Sequence, residues 1–460
     1  IVFGDWSSDV CSSDLSNTTG ISNTAMGYKS AYSNINGIYN SAFGNESLLF
    51  NTNGSYNTAI GSHTLIWNTL GSENTATGFS ALIFNESGSY NTANGYNALR
   101  NNTTGYSNVA VGTHSLYSST DRSNLVAIGD SALYNNGASA EDNYQGNYNT
   151  AIGSKTLFSN TTGATNTAIG YNALYSNTIG DGNTAIGNMT LYSNLGMFNT
   201  ATGAEALSSN SNGDGNTANG SFSLLMNTSG SYNVAVGANS MTNNRSGSLN
   251  VGIGSYALRT NNNGRCNTGC GYRTLFENYD GSFNTAVGYQ SQRRTQSDKN
   301  TSLGCHSLTN NYTGSNNVAI GSAALYWSQV QSELVAVGDS ALFNNNGYES
   351  PEQGTANTAI GTKSLFSNTF GRENSALGYK SLFSNVTGNH NTATGYMALY
   401  SNTTGYQNTA NGYLSLYSNT TGWFNTAYGE QSMFGNSVGN GNTAVRSEER
   451  RVGKECRSRW

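Results

Sequence analysis

The stretch Asn166–Gly182 reads NTAIGYNALYSNTIGDG, and close copies of this unit follow one another along most of the 460-residue chain. Of the 24 spacings between copies, 20 span seventeen residues, two span sixteen, and the remaining two are 24 and 23. A period this constant is the signature of a repeat architecture, in which each repeat contacts only its neighbours. We number the positions of each copy from its leading Asn as position 1. The copies begin at residues 23, 40, 57, 74, 91, 108, 125, 149, 166, 183, 199, 216, 233, 250, 267, 284, 300, 317, 334, 357, 374, 391, 408, 425 and 442.

Several positions hold nearly the same residue in every copy. Position 1 is Asn in 23 of 25 copies, the exceptions being Leu125 and Leu334. Position 3 is always small, position 5 is Gly in all 24 complete copies, and position 9 is Leu in 20 of these 24. Such columns predict ladders of identical side chains between stacked coils. The ladder residues singled out are Asn57, Asn74, Asn91, Gly61, Gly78, Gly95, Leu65, Leu82 and Leu99.

The repeat predicts an all-β fold. Gly at position 5 and an Asn-Thr-Thr-Gly type turn divide each copy into two short predicted strands, over positions 1–4 and about 7–11. Burying one Leu contributes about 1.5–3 kcal/mol, whereas ordering each residue costs roughly 1–2 kcal/mol. A lone coil therefore cannot fold, and the coils must stack. We predict a parallel β-roll, or β-solenoid, of about 24 coils with seventeen residues per coil.

The composition excludes several classes of protein. Only 10% of the residues are charged, and the net charge of −5 comes with no basic stripe, which argues against a nucleic-acid partner. No apolar run reaches the ~20 residues that a membrane helix needs, so we expect no membrane contact. A single Pro beside 29 Tyr and 16 Phe argues against disorder.

The side chains of the first strand predict a partner. Positions 3 and 9 barely vary, so we place them inside a thin roll. Position 4 points the opposite way from position 3 on the same strand, yet it is often Ile, Val or Leu. Apolar residues on both faces of a strand indicate burial on both sides. Self-association into a trimer would supply the second covering surface.

No residue set in the sequence has the pattern of a catalytic, cofactor or metal site. His63, His114 and His306 share position 7 but lie in non-adjacent coils, so they cannot hold one metal ion. Gly129–Leu133 looks like a Gly-Asp-Ser hydrolase block, but it is simply positions 5–9 and lacks the His base that a serine nucleophile needs. Cys266, Cys270 and Cys305 are expected to pack as small apolar groups. We therefore expect no enzyme activity and no cofactor.

Two insertions are candidate ligand loops. The long spacings place extra residues at Asn135–Tyr148 and Asn344–Ala356, each in a copy that begins with Leu and follows a copy without the turn Gly. Loops on a rigid scaffold often carry function, although a tolerated bulge on the solenoid edge is the simpler interpretation. The candidate residues are Glu141, Asp142 and Tyr144 in the first loop and Tyr348, Glu349 and Glu352 in the second.

An aromatic column at position 10 has two interpretations. Rings such as Tyr175 and Tyr192 recur there in consecutive copies. As a functional feature, a stripe of rings would stack on sugars. As a structural feature, it would cover the outer edge of the roll, and this second interpretation is favoured.

The string Asn166–Leu174, NTAIGYNAL, resembles the head repeat of trimeric autotransporter adhesins of the YadA type, and similar repeats occur in tail-fibre-like surface proteins. The resemblance covers about residues 17–445, and its Ala-Ile-Gly core recurs, for example at Asn357–Gly361. It implies left-handed parallel β-rolls that assemble as a homotrimer, project from a cell surface or phage particle, and bind host, matrix or glycan surfaces. The unit here is a few residues longer than the family's usual one, with the extra length in the Asn-Thr-Thr-Gly turn.

The resemblance makes a non-catalytic, adhesive fibre segment outside the cell the expected function. The alternative is an ice-binding β-solenoid that uses the Thr column at position 2, as at Thr58, Thr75 and Thr92. A flat ice-binding face needs paired Thr-x-Thr arrays, and position 4 supplies Ile more often than Thr.

The two ends break every rule of the repeat. Gly4–Leu15 (GDWSSDVCSSDL) and Arg446–Trp460 (RSEERRVGKECRSRW) resemble translated sequencing-adapter oligonucleotides. We expect segments 1–15 and 446–460 to be non-native additions and residues 16–445 to form the repeat domain.

Overall fold

The computed structural model describes residues 17–142, 144–347 and 352–445. The two predicted adapter segments, as well as Tyr348 and Glu349, lie outside these ranges. The chain divides into two compact units, one ending at Tyr232 and the other beginning at Asn233. Each unit is a parallel β-solenoid whose successive turns are about seventeen residues apart in the sequence, and the described residues contain no helix. The predicted fold class is confirmed.

Each coil contributes one short strand at positions 2–4. In the first unit these are β1 Thr24–Met26, β2 Ser41–Phe43, β3 Thr58–Ile60, β4 Thr75–Thr77, β5 Thr92–Asn94, β6 Val109–Val111, β7 Val126–Ile128, β8 Thr150–Ile152, β9 Thr167–Ile169, β10 Thr184–Ile186, β11 Thr200–Thr202 and β12 Thr217–Asn219. In the second unit the strands are β13 Val234–Val236, β14 Val251–Ile253, β15 Thr268–Cys270, β16 Glu277–Asn278, β17 Thr285–Val287, β18 Arg294–Thr295, β19 Thr301–Leu303, β20 Val318–Ile320, β21 Val335–Val337, β22 Thr358–Ile360, β23 Ser375–Leu377, β24 Thr392–Thr394, β25 Thr409–Asn411, β26 Thr426–Tyr428 and β27 Thr443–Ala444.

Equivalent residues of successive coils pair directly, in parallel. Ala59 of β3 is opposite Ala76 of β4. The register survives the irregular spacings, because β7 pairs with β8 and β21 pairs with β22 across the two longest intervals of the repeat. The extra residues are therefore accommodated entirely outside the strands.

The prediction of a second strand over positions 7–11 is wrong for nearly all coils. Positions 7 and 9 adopt left-handed backbone conformations, as at His63 (φ 60°) and Leu65 (φ 50°), which an extended strand cannot contain. The segment still bonds to the next coil, since the amide of Leu65 donates to the carbonyl of Ala81 at 3.2 Å. Only the pair β16 and β18 forms a second short ladder within the described residues.

The core is a narrow stack of Ala and Leu, as predicted. Ala59 and Leu65 are both fully buried, and the same holds for their counterparts in coil after coil. Position 8 closes the turn between them, because the Thr64 hydroxyl donates to the carbonyl of Gly61 at 2.9 Å. One coil therefore buries its apolar side chains chiefly against the coils above and below.

Glycine at position 5 is required by both backbone conformation and space. Gly61 has φ 126°, a value that L-residues rarely adopt. A Cβ added there would lie 2.7 Å from the carbonyl oxygen of Gly78 in the next coil. Because the coils stack so closely, a substitution at Gly61 would push against the backbone of the next coil.

The predicted Asn ladder at position 1 is confirmed, and it bonds to the backbone as well as to its neighbours. The Asn74 amide nitrogen Nδ2 donates to Asn57 Oδ1 at 3.1 Å and to the carbonyl of Gly88 at 2.9 Å. Asn74 Oδ1 in turn accepts from the backbone amide of Asn91 at 3.0 Å. Each fully buried side chain thus joins three coils.

A second Asn ladder lies at position 12, which the sequence analysis treated only as part of a turn. Asn68 Nδ2 donates to Asn51 Oδ1 at 2.8 Å and to the carbonyl of Gly71 at 2.8 Å. Asn68 Oδ1 then accepts from Asn85 at 2.7 Å. Both ladders are buried. Their uncharged amide groups therefore supply the hydrogen bonds that buried backbone groups inside so thin a coil require.

Candidate functional site

The outer face of the strands is the most extensive repeated surface. Positions 2 and 4 point away from the buried Ala of position 3, and the position-4 side chains of Ile60 and Ile186 are 44% and 42% exposed. Position 2 is partly exposed, as at Thr184. The side chains at position 4 were predicted to be covered by a partner chain. Within one chain it is at the surface, so the trimer stays a prediction.

Tyrosines at position 6 continue this surface on several coils. Tyr379, Tyr396 and Tyr413 occupy consecutive coils, and their ring centroids lie 5.2 and 5.3 Å apart. All three are at least 39% exposed. The sequence analysis overlooked this tyrosine row, although its signal, Tyr directly after the invariant Gly, was visible in the repeat.

The aromatic column at position 10 forms long stacks of rings. One unbroken stack in the second unit consists of Tyr326, Phe343, Phe366, Phe383, Tyr400, Tyr417 and Phe434. Neighbouring rings are nearly parallel, as for Phe383 and Tyr400, whose centroids lie 5.2 Å apart with an interplanar angle of 4°. Because the faces of each inner ring are covered by its neighbours, a sugar cannot stack on them. This geometry favours the structural interpretation of the column.

The first candidate loop is held by a buried arginine. Arg122 occupies position 15, where most copies have Gly, and it is only 4% exposed. Its Nη1 donates to the carbonyls of Asp142 and Gln145, at 2.5 and 3.0 Å. The residue that replaces the turn Gly therefore holds the inserted loop in place.

Of the candidate residues in this loop, Asp142 has a local structural role. Its Oδ1 accepts from the backbone amides of Tyr144 and Gln145, at 2.9 and 3.0 Å. The amide of Glu141 donates to Gln145 Oε1 at 2.9 Å. Tyr144 is 55% exposed and is the part of the loop that presents a ring to solvent.

The second loop repeats the arrangement with a different anchor. Gln331, also at position 15 and fully buried, donates from Nε2 to the carbonyl of Gly347 at 2.9 Å. Its Oε1 accepts from the amides of Gln329 and Val330. Glu352 is exposed beside a shallow groove lined by Glu352, Gln353, Phe370, Arg372, Thr387 and Asn389.

A groove that sequence reasoning missed lies between positions 11 and 13 of three coils. It is lined by Trp67, Thr69, Phe84, Glu86, Asn101 and Thr103. Trp67 is 46% exposed and stacks on Phe50 with a centroid distance of 4.4 Å. The groove therefore combines exposed aromatic surface with hydroxyl, amide and carboxylate groups.

The His, Cys, Asp and Glu side chains of the described ranges occur singly or in pairs. No group of three or more His, Cys, Asp or Glu in the described ranges could hold a metal ion. Cys266, Cys270 and Cys305 are free thiols, and Cys305 is exposed, so the prediction that it packs as a small apolar group is wrong. His63 pairs with Glu46 at 3.5 Å and His390 with Glu373 at 3.1 Å, each as a single pair between neighbouring coils.

The described residues also include no helix that is long and apolar enough to cross a membrane. Compared with known protein families, with curated proteins and with solved structures, the chain matches none of them.

Proposed function

We propose that this chain is a non-catalytic structural and adhesive segment of a bacterial or phage surface fibre, acting outside the cell or on a phage particle. It binds host, matrix or glycan surfaces through faces that recur from coil to coil. The observation that carries this proposal is the exposed strand face, where Thr or Val at position 2 and an often aliphatic position 4 repeat at the spacing of the coils.

The repetition explains how weak contacts give firm attachment. A single Thr-Ala-Ile strand offers little binding surface. Copies at fixed spacing, however, bind a repetitive target with a high effective concentration once the first contact has formed. A scaffold held by buried Asn ladders keeps those copies in register at little entropic cost on binding.

We also propose that the chain works as a homotrimer. Contiguous apolar surface on a soluble protein marks interaction sites, and the position-4 residues Ile169 and Ile186 are exposed on adjacent coils. Three chains packed through the aliphatic stretches of this face would bury those position-4 side chains, while the polar stretches of the face, as at Asn219, the tyrosine row and the loops would stay accessible to ligands.

Adhesion of beads coated with the full chain to glycan- and matrix-coated surfaces tests the proposal. We expect retention under flow well above that of albumin-coated beads. A variant with Tyr379, Tyr396 and Tyr413 changed to Ser tests whether the tyrosine row contributes. Ser occupies position 6 naturally at Ser62 and Ser154, so the fold should persist. Retention no better than that of albumin beads on every surface would reject the adhesive function.

Ice binding is the second candidate, because positions 2 and 4 lie on the same exposed side of the strand. The strands Thr75–Thr77, Thr200–Thr202 and Thr392–Thr394 each present the Thr-x-Thr pair that such a face uses. They are separated by coils that carry Ile or Asn at position 4, which interrupts the array. Measurable thermal hysteresis by the purified chain would favour this function over adhesion.

A further inference from the structure

Two arginines interrupt the aromatic column within the second unit, and a third lies beside it. Position 10 holds Arg259, Phe276 and Arg293 in three consecutive coils, and Arg273 lies at position 7 of the middle coil. We call Arg259, Arg273 and Arg293 the arginine cluster. The other columns of the chain contain no comparable concentration of charge, since only 10% of all residues are charged.

Aromatic rings form the base of the cluster. The guanidinium groups of Arg259 and Arg273 both lie 5.4 Å from the centroid of Phe276. Arg273 also lies 5.6 Å from the ring of Tyr256 and 5.1 Å from that of Tyr272. Cation–π contacts of this kind fix the planes of the guanidinium groups but leave their charge without a counterion.

The cluster has no carboxylate partner among the described residues. No Asp or Glu lies within ion-pair distance of Arg259, Arg273 or Arg293. The Nε atoms of all three are buried and make no hydrogen bond in the described part of the chain; this is also true of Arg294 Nε, so the cluster differs from Arg294 in lacking an ion pair. A planar guanidinium group is best satisfied by an oxyanion that accepts two of its hydrogens. The cluster therefore presents three half-buried cations whose charge an anionic ligand would neutralise.

Arg294, which follows Arg293 in the sequence, differs from the cluster because it has an acidic partner within the chain. Its Nε pairs with Glu277 Oε2 at 3.2 Å, and its Nη1 donates to the Tyr312 hydroxyl at 3.2 Å. Glu277, which follows Phe276 in the sequence, is thus already engaged by an arginine outside the cluster, at position 11. The chain neutralises this arginine internally and leaves the other three to an external group.

We propose that the arginine cluster, supported by Tyr256, Tyr272 and Phe276, binds an anionic polysaccharide whose sulfate or carboxylate groups pair with the three guanidinium groups. Coils stack at about 4.8 Å, so the cluster spans only a few sugar units. Nucleic acid is the weaker fit, because salt-sensitive binding to a phosphate backbone usually relies on about six to ten phosphate contacts. The chain as a whole is also acidic, with a net charge of −5. The inference rests on the proposed adhesive function and names the chemistry of one of its targets.

Binding of defined oligomers to the full chain tests this site. The probes are a heparin-derived hexasaccharide carrying sulfates, a hexamer of galacturonic acid carrying carboxylates only, a neutral maltohexaose and a single-stranded oligonucleotide. We expect at least one anionic hexasaccharide to bind with an affinity that falls as salt rises, and maltohexaose to bind at least tenfold more weakly. The anion that binds identifies the source as sulfated or carboxylated glycan.

The variant R259Q/R273Q/R293Q should weaken that binding at least tenfold. The matched control is R265Q/K299Q/K363Q, which removes the same net charge from other positions of the same unit and should change the affinity by less than twofold. Circular dichroism and melting curves establish that both variants are folded. Equal losses in the two variants, unchanged binding in the first, or tighter binding of the oligonucleotide than of either glycan would overturn the site.

The bead assay separates failure of this site from failure of the proposed function. Beads that adhere to glycan or matrix surfaces equally well with and without the three arginines would overturn the arginine site and leave the adhesive function in place. Wild-type beads that adhere to nothing would reject both.

Discussion

Leucine at position 9 is buried in a backbone conformation that few residues other than glycine adopt. Leu174 has φ 53°, and position 9 has a comparable positive φ in coil after coil. Position 7 behaves in the same way, as at Asn172 with φ 54°. Neither position carries Val, Ile or Thr in any complete copy. Branching at Cβ makes the left-handed region far less accessible, so the backbone selects Leu rather than Ile for the core.

This selection predicts different outcomes for two substitutions of similar volume. We expect Leu174→Ile to lower the local free energy of unfolding by about 1–3 kcal/mol through backbone strain. Leu174→Met keeps an unbranched Cβ and should cost less than about 1.5 kcal/mol. Native-state hydrogen exchange in coil 166–182 measures both, because it reports local opening. Equal costs for the two variants would contradict the role given to Cβ branching.

Because the Asn ladder is buried, changing one of its amide groups to a carboxylate should lower the stability of the fold strongly. Aspartate at Asn74 cannot donate to the carbonyl of Gly88 and places a carboxylate 3.1 Å from Asn57 Oδ1. We expect Asn74→Asp to cost about 3–5 kcal/mol at neutral pH, because an uncompensated buried charge is left.

The matched control for this substitution is Asn53, an exposed residue whose Oδ1 accepts from Asn36 Nδ2 at 2.8 Å. Aspartate retains that acceptor in contact with water, so Asn53→Asp should stay within about 0.5 kcal/mol of wild type. Denaturant midpoints of both variants measure the difference. A small effect at Asn74 would show that the inner ladder carries little stability.

At the scale of the element, the sequence predicted the coil but not its full conformation. The period, the parallel stacking and the burial of Ala59 and Leu65 follow from columns that barely vary. The second strand was predicted wrongly because left-handed residues such as His63 are not glycines and so give no turn signal. The ladder through Asn68 was missed because Asn is also a common turn residue.

The two loops were likewise predicted only in part from the sequence. The sequence revealed that the insertions coincide with a lost turn Gly and a Leu at position 1. It did not reveal that the residue replacing Gly, Arg122 or Gln331, reaches into the loop. That connection is a contact between residues far apart in the sequence, with no periodic pattern behind it. Asp142 was selected as a candidate ligand because it is charged, whereas its carboxylate caps backbone amides.

The anchor predicts that loop order depends on one side chain. Arg122→Ala removes the donors that hold the carbonyls of Asp142 and Gln145. We expect chymotrypsin to cut after Tyr144 at least tenfold faster in this variant, since proteolysis follows local opening. The strands should remain paired, because β7 and β8 bond directly to each other.

Arg100→Ala is the control for this loop. Arg100 is another arginine of this unit; it packs 4.9 Å from the centroid of Phe84 and 5.6 Å from that of Tyr117, and its hydrogen bond goes to Asn101 rather than to an insertion. Its loss should leave cleavage after Tyr144 at the wild-type rate. Equal cleavage of the wild type and the Arg122 variant would mean that the loop is held by its own turns rather than by the anchor.

At the scale of the whole molecule, the repeat that builds the interior also determines what the surface can do. Because positions 3 and 9 face the core, each coil exposes positions 2 and 4. A residue type that recurs at position 4 of successive coils therefore forms a stripe along the surface. The stripe is aliphatic on some coils and polar on others, as at Ile186 and Asn219. An interface between chains would therefore lie on the aliphatic stretches, leaving the polar stretches free for other partners.

This pattern allows a direct test of the trimer. Ile152, Ile169 and Ile186 occupy position 4 of three consecutive coils, and the next coil has Thr202 there naturally. The triple change to Thr should therefore preserve the coil and remove apolar surface from the proposed interface. We expect the wild-type chain to sediment as a trimer and the variant to shift toward monomer, with unchanged circular dichroism.

The matched control changes residues on another face of the same coils. Ser154 and Asn188 lie at position 6 of the first and third of these coils, and Ser154→Asn with Asn188→Ser should leave the sedimentation unchanged. A monomeric wild-type chain would remove the trimer and leave the strand face free for ligands. A variant that remains fully trimeric would place the interface elsewhere, on the position-6 side or at the turns, because the three isoleucines would then contribute nothing to association.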